Sequence, residues 1–373
     1  MKVLLIGGTG VISTDVCKMA IEKNYEVYIL NRGRRKKSIN EEANLIIADI
    51  KKDTEEYLKK KIGDIRFDIV VDFLSYNVNQ LQKTLNCVKC NQYIFISSAT
   101  IYDEHEDGFP YKESDAKGNR GWSYCANKYN CELVLEKIAE TKGIKYTIVR
   151  PYVTYNETRF PYQIAPLEYY TIIDRIKNDL PVAICGKNTI TTVTSAKDFS
   201  VGLVGLFGNP SAYNEDFHIT SDKTVRWSDI LEQTAAKFGK EVKVVEISKN
   251  DLVKTITEIN VPEIIEDKSR NMRFDNAKIK KAVPDFHAFL EYSQCLDGIC
   301  EYFSDVNHQK INYLWNGCLD RLLKDSCDIS ISVNQYRFNG WKSRIMYYMG
   351  RYLFIYYIYH TLKKLKAFLK IRR

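Results

Sequence analysis

Short, continuous apolar runs recur through the first 150 residues: "KVLLI", "YEVYIL", "NLIIAD", "DIVVDF", "QYIFISS" and "KYTIVR". Most are separated by enough chain for an amphipathic helix. That rhythm predicts parallel strands joined by crossover helices. Because the runs are apolar throughout rather than at every second residue, the strands are expected to be buried on both faces. The fold expected is α/β, a Rossmann-type doubly wound parallel sheet over residues 1–155.

Beyond Arg150 the rhythm loosens. "LEYYTIIDRIKND", "AKDFSVGLVGLF" and "WSDILEQTAAKFG" read as helices, and "PVAIC", "TITTV", "EDFHIT" and "VKVVEI" as short strands. They predict a smaller mixed α/β substrate lobe over 156–325, with the chain returning to the first domain around 190–220. A basic, aromatic helical tail over 326–373 follows. No internal repeat or low-complexity linker interrupts the pattern.

Charge changes this picture only at the end of the chain. The net charge of +8 suggests nucleic acid until it is mapped. From Ile329 onward there is no Asp or Glu, while Arg337, Lys342, Arg344, Arg351, Lys363, Lys364, Lys366, Lys370, Arg372 and Arg373 are basic. Removing these ten from the 55 Lys and Arg leaves 45, against 47 Asp and Glu, so the body is near neutral. The ten cysteines form no even framework and no secretory leader is legible, which points to reduced thiols in a cytoplasm. "CVKC" at Cys87–Cys90 lacks the second pair that a zinc site needs, so no metal is expected.

The first strand runs into "GGTGVIS", with Gly7 and Gly10 at the entry to a helix. Backbone approaches a pyrophosphate closely at such a turn, and the helix amino end offers oriented N–H groups to the anion. Ser13 stands where the third glycine of the dinucleotide pattern is usual. The second strand ends in "LNRGRRKKS", where NAD enzymes place a carboxylate for the ribose hydroxyls. Arg32, with Arg34, Arg35 and Lys36, suits a 2'-phosphate, so NADP is favoured over NAD; the alternative is a solvated basic loop. Asp49, after the third strand, is placed to touch the adenine.

"GGTGVIS", "ISSATIYD", "YCANK", "VRP" and "VTSAKDFSVGLVGLF" together resemble the extended short-chain dehydrogenase/reductases, specifically the NAD(P)-dependent sugar-nucleotide epimerase/dehydratase group, over about residues 1–325. The resemblance implies that Tyr124 is the acid/base group, Lys128 its partner and a ligand of the nicotinamide ribose, and Ser98 the hydroxyl that shares the reacting sugar oxygen. It implies a cofactor cradle of Gly7, Gly10, Val11, Ile12, Asn31, Arg32, Asp49, Ile50, Phe73 and Lys128. Tyr124 and Lys128 lie four apart, one turn along a helix, where an ammonium beside the phenol and the oxidised nicotinamide are together expected to lower its pKa toward neutrality.

The same resemblance bears on the reaction. Family dehydratases carry an acidic pair where this chain has Ala99 and Thr100, which argues against dehydration. C4 epimerisation through a 4-keto intermediate and NADPH-dependent ketone reduction remain. Asp103 replaces a usual glycine, and the asparagine often found near Val153 is missing, so the substrate shape is altered. Thr100, Tyr152, Tyr155 and Arg226 are candidate substrate contacts, and Arg150, Arg159 and Lys187 further candidates for a diphosphate. A homodimer is a possible assembly.

The run from Ile345 to Leu362 is aromatic and nearly uncharged, but too short to span a bilayer. An interfacial helix on an anionic membrane surface is one expectation, and packing against the body or a second subunit the other. A rival of another class is a non-catalytic RNA-binding protein of the same fold.

Overall fold

The computed structural model describes residues 1–34, 40–105, 110–118, 121–288 and 290–371, with side chains as far as Leu362. The chain divides into two compact units. The first comprises Met1–Pro161, Thr191–Thr224 and Met272–Cys295.

Its frame is a seven-stranded sheet. Strands β1 (Lys2–Ile6), β2 (Glu26–Asn31), β3 (Asn44–Ile47), β4 (Arg66–Asp72), β5 (Lys89–Ile96) and β6 (Lys145–Pro151) are joined by a strand at Glu215–Ile219. From one edge the order is Glu215–Ile219, β6, β5, β4, β1, β2, β3. Every neighbouring pair is parallel. The chain leaves β1 toward β2 on one side and returns to β4 on the other. The direction of winding therefore reverses between β1 and β4, the place where open α/β sheets leave a crevice at their carboxyl ends.

Both faces are covered, as continuous apolar strands require. Helix α1 (Val11–Glu22) and the helix Ala196–Gly205 pack on one face through Val16, Ala20, Phe199 and Leu203. Helices α2 (Glu55–Ile62), α3 (Val78–Cys87) and α4 (Ser123–Lys142) cover the other through Leu58, Leu81, Leu85 and Leu135.

"EDFHIT" lies in the main sheet, with Phe217 and Ile219 in its core. Two expectations are corrected. Residues 272–295 also return to the first unit, because Ile279, Val283, Phe286 and Ala288 complete the layer over the helix Ala196–Gly205. Residues 326–373 do not form a separate tail but cluster with the second unit.

That unit comprises Tyr162–Ile190, Val225–Asn271 and Leu296–Arg373. It holds the parallel pair Val182–Ile184 and Val244–Glu246 and several helices. The helix Tyr313–Cys327 crosses the helix Trp341–Arg351 with backbone against backbone: a Cβ on Gly317 would lie 2.1 Å from the Tyr347 carbonyl, and one on Gly350 2.1 Å from that of Leu314. Beside this crossing a fully buried ion pair joins Arg175 Nη2 to Asp320 Oδ1 at 2.8 Å. The other Asp320 oxygen accepts from Tyr336 and Tyr347, each at 2.7 Å. The aromatic segment therefore splits: Tyr347 and Tyr356 are buried, while Trp341, Phe354 and Ile358 face outward.

Candidate active site

The turn after β1 is built for close approach. Gly7 has φ +100°, and a Cβ there would lie 2.7 Å from Leu74 Cγ, so glycine is required on both conformational and steric grounds. Ser13, the departure from the glycine pattern, ties the turn together. Its hydroxyl donates to Gly7 O (2.9 Å) and accepts from Gly10 N (2.8 Å). Val11 and Ile12 open α1 directly behind it, and Val11 O accepts from Asn156 Nδ2 at 3.2 Å.

The adenosine end fits a dinucleotide through Asn31, which closes β2. Its Oδ1 accepts from Gly33 N at 2.7 Å, while its Nδ2 is buried without a hydrogen-bond partner. A buried amide donor is costly to leave unpaired, so its position suits a ligand oxygen. Arg32 and Arg34 are exposed beside it; Arg35 and Lys36 lie outside the described residues. Asp49 follows β3, with its Oδ1 accepting from Lys51 N, and Ile50 is buried beneath. Phe73 continues β4, its N–H donating to Ile6 O at 3.1 Å.

Two elements bring the predicted catalytic side chains to this edge. Strand β5 delivers Ser97 and Ser98 at its carboxyl end, two strands from β1. Helix α4 begins at Ser123 and carries Tyr124 in its first turn. The Ser98 hydroxyl is close enough to the Tyr124 phenol to favour its ionised form. From Ser98 the chain of contacts continues to Thr100 Oγ1 (2.9 Å) and from there to Cys125 Sγ (3.3 Å). The ring of Tyr124 lies against Trp122, with centroids 4.8 Å apart, and near Tyr76 at 6.1 Å.

Burial dominates the electrostatics of the protein alone. It pushes the Tyr124 phenol above its ordinary value, Tyr76 adds to the rise, and Ser98 and the Arg159 guanidinium offset part of it. Lys128 is fully buried, and its Nζ donates to Ser75 O and Ile96 O at 2.8 Å each. It sits 4.7 Å from the Tyr76 ring centre and 4.8 Å from that of Phe95. Burial lowers its pKa to about 8, with the nearby Asp72 carboxylate opposing that fall. Tyr124 is therefore a protonated phenol in the protein alone.

The remaining candidates divide. Arg150 does not reach a ligand: it is 2 % exposed, paired with Glu132 (2.7 Å) and Asp216 (2.7 Å), and donates to Tyr102 (3.0 Å). Arg226, in the second unit, is exposed and paired with Asp229 at the start of its helix. Lys187 is also exposed, in the second unit. Tyr152 is buried against Phe274, with centroids 5.2 Å apart, and Tyr155 is buried with its hydroxyl 3.6 Å from Cys295 Sγ. The chain between them turns at Val153, whose φ of +28° is strained for a β-branched residue.

Two residues by the site were not legible beforehand. Tyr76 stands in the loop after β4, where one aromatic among many gives no signal. Asp15, in α1, has its carboxyl raised to about 6 by burial and by Glu157, against Lys197 and Lys18. Among the described residues no cluster of His, Cys, Asp and Glu could hold a metal ion.

Comparison with known proteins adds an independent line. Residues 3–200 match the NAD dependent epimerase/dehydratase family. The chloroplast stem-loop binding protein of 41 kDa b from Arabidopsis thaliana is 26% identical over 251 residues, 64% of this chain. The match spans 63% of that relative's length. A UDP-glucose 4-epimerase from Klebsiella pneumoniae is 30% identical over 142 residues, 31% of this chain and 100% of that one. Among solved structures, UDP-glucuronic acid 4-epimerase from Bacillus cereus, in complex with UDP-glucuronic acid and NAD, superposes with a TM-score of 0.64 at 18% identity, covering 82% of this chain and 99% of that one. Epimerase Mth375 from Methanothermobacter thermautotrophicus gives 0.67 at 16%, covering 81% and 92%. At these identities the likeness to the solved structures is one of fold.

Proposed function

The chain belongs to the NAD dependent epimerase/dehydratase family, and from that premise we propose that it is an NAD(P)-dependent enzyme that inverts C4 of a nucleotide-diphosphate sugar. A bound nicotinamide would take up hydride from C4 and return it to the opposite face of the ketone. The hydroxyl proton passes to Tyr124 as hydride leaves and comes back from it afterwards. Ser98, beside Tyr124, holds the same sugar oxygen and fixes the line of transfer. Because burial keeps the phenol protonated in the protein alone, its action as a base depends on positive charge brought beside it, to which Arg159 contributes. Lys128 lies beneath, with its ammonium on two backbone carbonyls, and would turn one donor to a ribose hydroxyl.

The observation that carries this reading is that Ser98, at the carboxyl end of β5, acts on the Tyr124 phenol at the same sheet edge as the Gly7 turn. Ala99 and Thr100 leave no carboxylate after Ser98 for elimination of water. The neutral end of β2 at Asn31, with Arg32 beside it, supports NADP as cofactor; the Bacillus cereus relative is solved with NAD.

A second reading is carried by the Arabidopsis relative, which is named for stem-loop binding. In it the fold binds RNA and the site is idle.

The test is to incubate the purified protein with UDP-, GDP-, CDP- and dTDP-sugars and NAD or NADPH, following products by NMR. A C4 epimer formed without net loss of cofactor is expected. Stoichiometric oxidation of NADPH would make it a ketoreductase. Conversion of no sugar, together with salt-dependent stem-loop binding that survives Tyr124→Phe, would establish the second reading.

A further inference from the structure

The helix Leu353–Ile371 is fastened to the second unit along one side. Tyr356 Oη donates to Glu258 Oε1 at 3.1 Å, and His360 Nε2 lies 2.7 Å from the same oxygen. The Tyr356 ring also closes a small apolar cluster with Leu314 and Cys318. Roughly opposite, Phe354, Ile358 and Leu362 recur every fourth residue as one stripe, 77%, 45% and 59% exposed. Among the described residues, nine of the nineteen exposed large hydrophobic residues fall between Trp341 and Leu362, which sets this segment apart from the scattered remainder. A soluble surface does not ordinarily concentrate aliphatic and aromatic side chains in this way.

The charge carried by the segment itself has one sign. No Asp or Glu occurs after Asp328, and Lys342 and Arg344 are exposed on the preceding helix. Four lysines and two arginines follow Leu362 in the sequence. Among the described residues no helix is long and apolar enough to cross a membrane. A one-sided apolar stripe bordered by cations instead matches the boundary between acyl chains and anionic headgroups.

We propose that the segment Trp341–Ile371 seats this protein on an anionic lipid surface, with the helix Leu353–Ile371 lying in the headgroup plane and the Phe354, Ile358 and Leu362 side chains entering the acyl boundary. Charge alone would serve RNA equally well, but RNA offers no apolar phase for Phe354, Ile358 and Leu362; lipid accounts for both halves of the pattern. The anchoring through Glu258 leaves the stripe free to insert without rearrangement of the unit.

The experiment is sedimentation of the full chain with phosphatidylcholine vesicles, with and without phosphatidylglycerol, at low and high salt. Binding is expected only to the anionic vesicles, and to weaken with salt. Phe354→Ser combined with Ile358→Ser and Leu362→Ser should cut binding about tenfold or more, as should Lys342→Glu with Arg344→Glu. All these side chains are exposed, so circular dichroism and dinucleotide affinity should not change. No binding to anionic vesicles overturns the proposal, as does binding that the serine variant leaves intact. Tail-dependent binding of stem-loop RNA in place of vesicles, or a dimer that the serine variant dissociates, overturns it too and identifies the other occupant.

Discussion

Lys128 holds an ammonium where water cannot reach it, and that has a measurable signature. Its side chain is 2 % exposed, and burial brings its pKa from the ordinary 10.5 to about 8. At roughly 1.4 kcal/mol per pH unit, a fall of that size costs the folded state about 3 kcal/mol wherever the amine must be charged. Between about pH 8 and 10.5 the unfolded chain keeps the proton that the folded chain has released, so stability rises with pH across that window. Below pH 8 the penalty is present in full; by pH 10.5 it is relieved. Lys128→Met keeps the length of the side chain and removes the proton. The variant also strips a donor from the Ser75 and Ile96 carbonyls, but that loss does not vary with pH. Urea unfolding of both proteins from pH 7 to 10.5 should therefore show wild type gaining about 3 kcal/mol on the variant. Other titrating groups are common to both and cancel. Two curves that stay parallel would refute the buried ammonium.

Asp198 offers the opposite sign. Burial raises its carboxyl from 3.8 to about 6, so the folded form holds the proton longer and stability is lost as pH rises through that window. Asn keeps the acceptor for Leu290 N, so Asp198→Asn should be more stable at pH 7 by up to about 3 kcal/mol. The gap should close toward pH 4, as read from urea midpoints. Gly350→Ala places a Cβ 2.1 Å from the Leu314 carbonyl and should cost at least about 2 kcal/mol. Limited proteolysis should then cut residues 328–340 faster, while dinucleotide affinity is unchanged. Arg32→Ala should weaken NADP about tenfold and NAD less than about twofold by calorimetry. Equal losses would remove Arg32 from the 2'-phosphate.

The sheet was legible because most strands hold an unbroken apolar run, such as VLLI in β1 and IVV in β4, that a twice-covered parallel strand buries; edge strand β3 instead leaves Leu45 and Ile47 exposed. The edge place of the seventh, Glu215–Ile219, was not legible. A five-residue strand carries no mark of its partner, and its neighbour β6 ends 64 residues earlier. Tyr124, Ser98 and the Gly7 turn were legible as motifs. Their electrostatics were not: the i,i+4 spacing places Lys128 on the same face as Tyr124, yet four methylenes let its nitrogen reach Ser75 and Ile96. Arg150 looked like a phosphate ligand for want of any sequence signal that Glu132 and Asp216 would converge on it.

In the proposed reaction Tyr124 is the proton carrier beside the Gly7 turn. The direct measurement is turnover of the sugar nucleotide by Tyr124→Phe at saturating cofactor, with dinucleotide affinity taken on the same preparation. Loss of one phenolic oxygen should lower the rate by about a hundredfold to ten-thousandfold while affinity holds. A variant that turns over as fast as wild type would contradict the account.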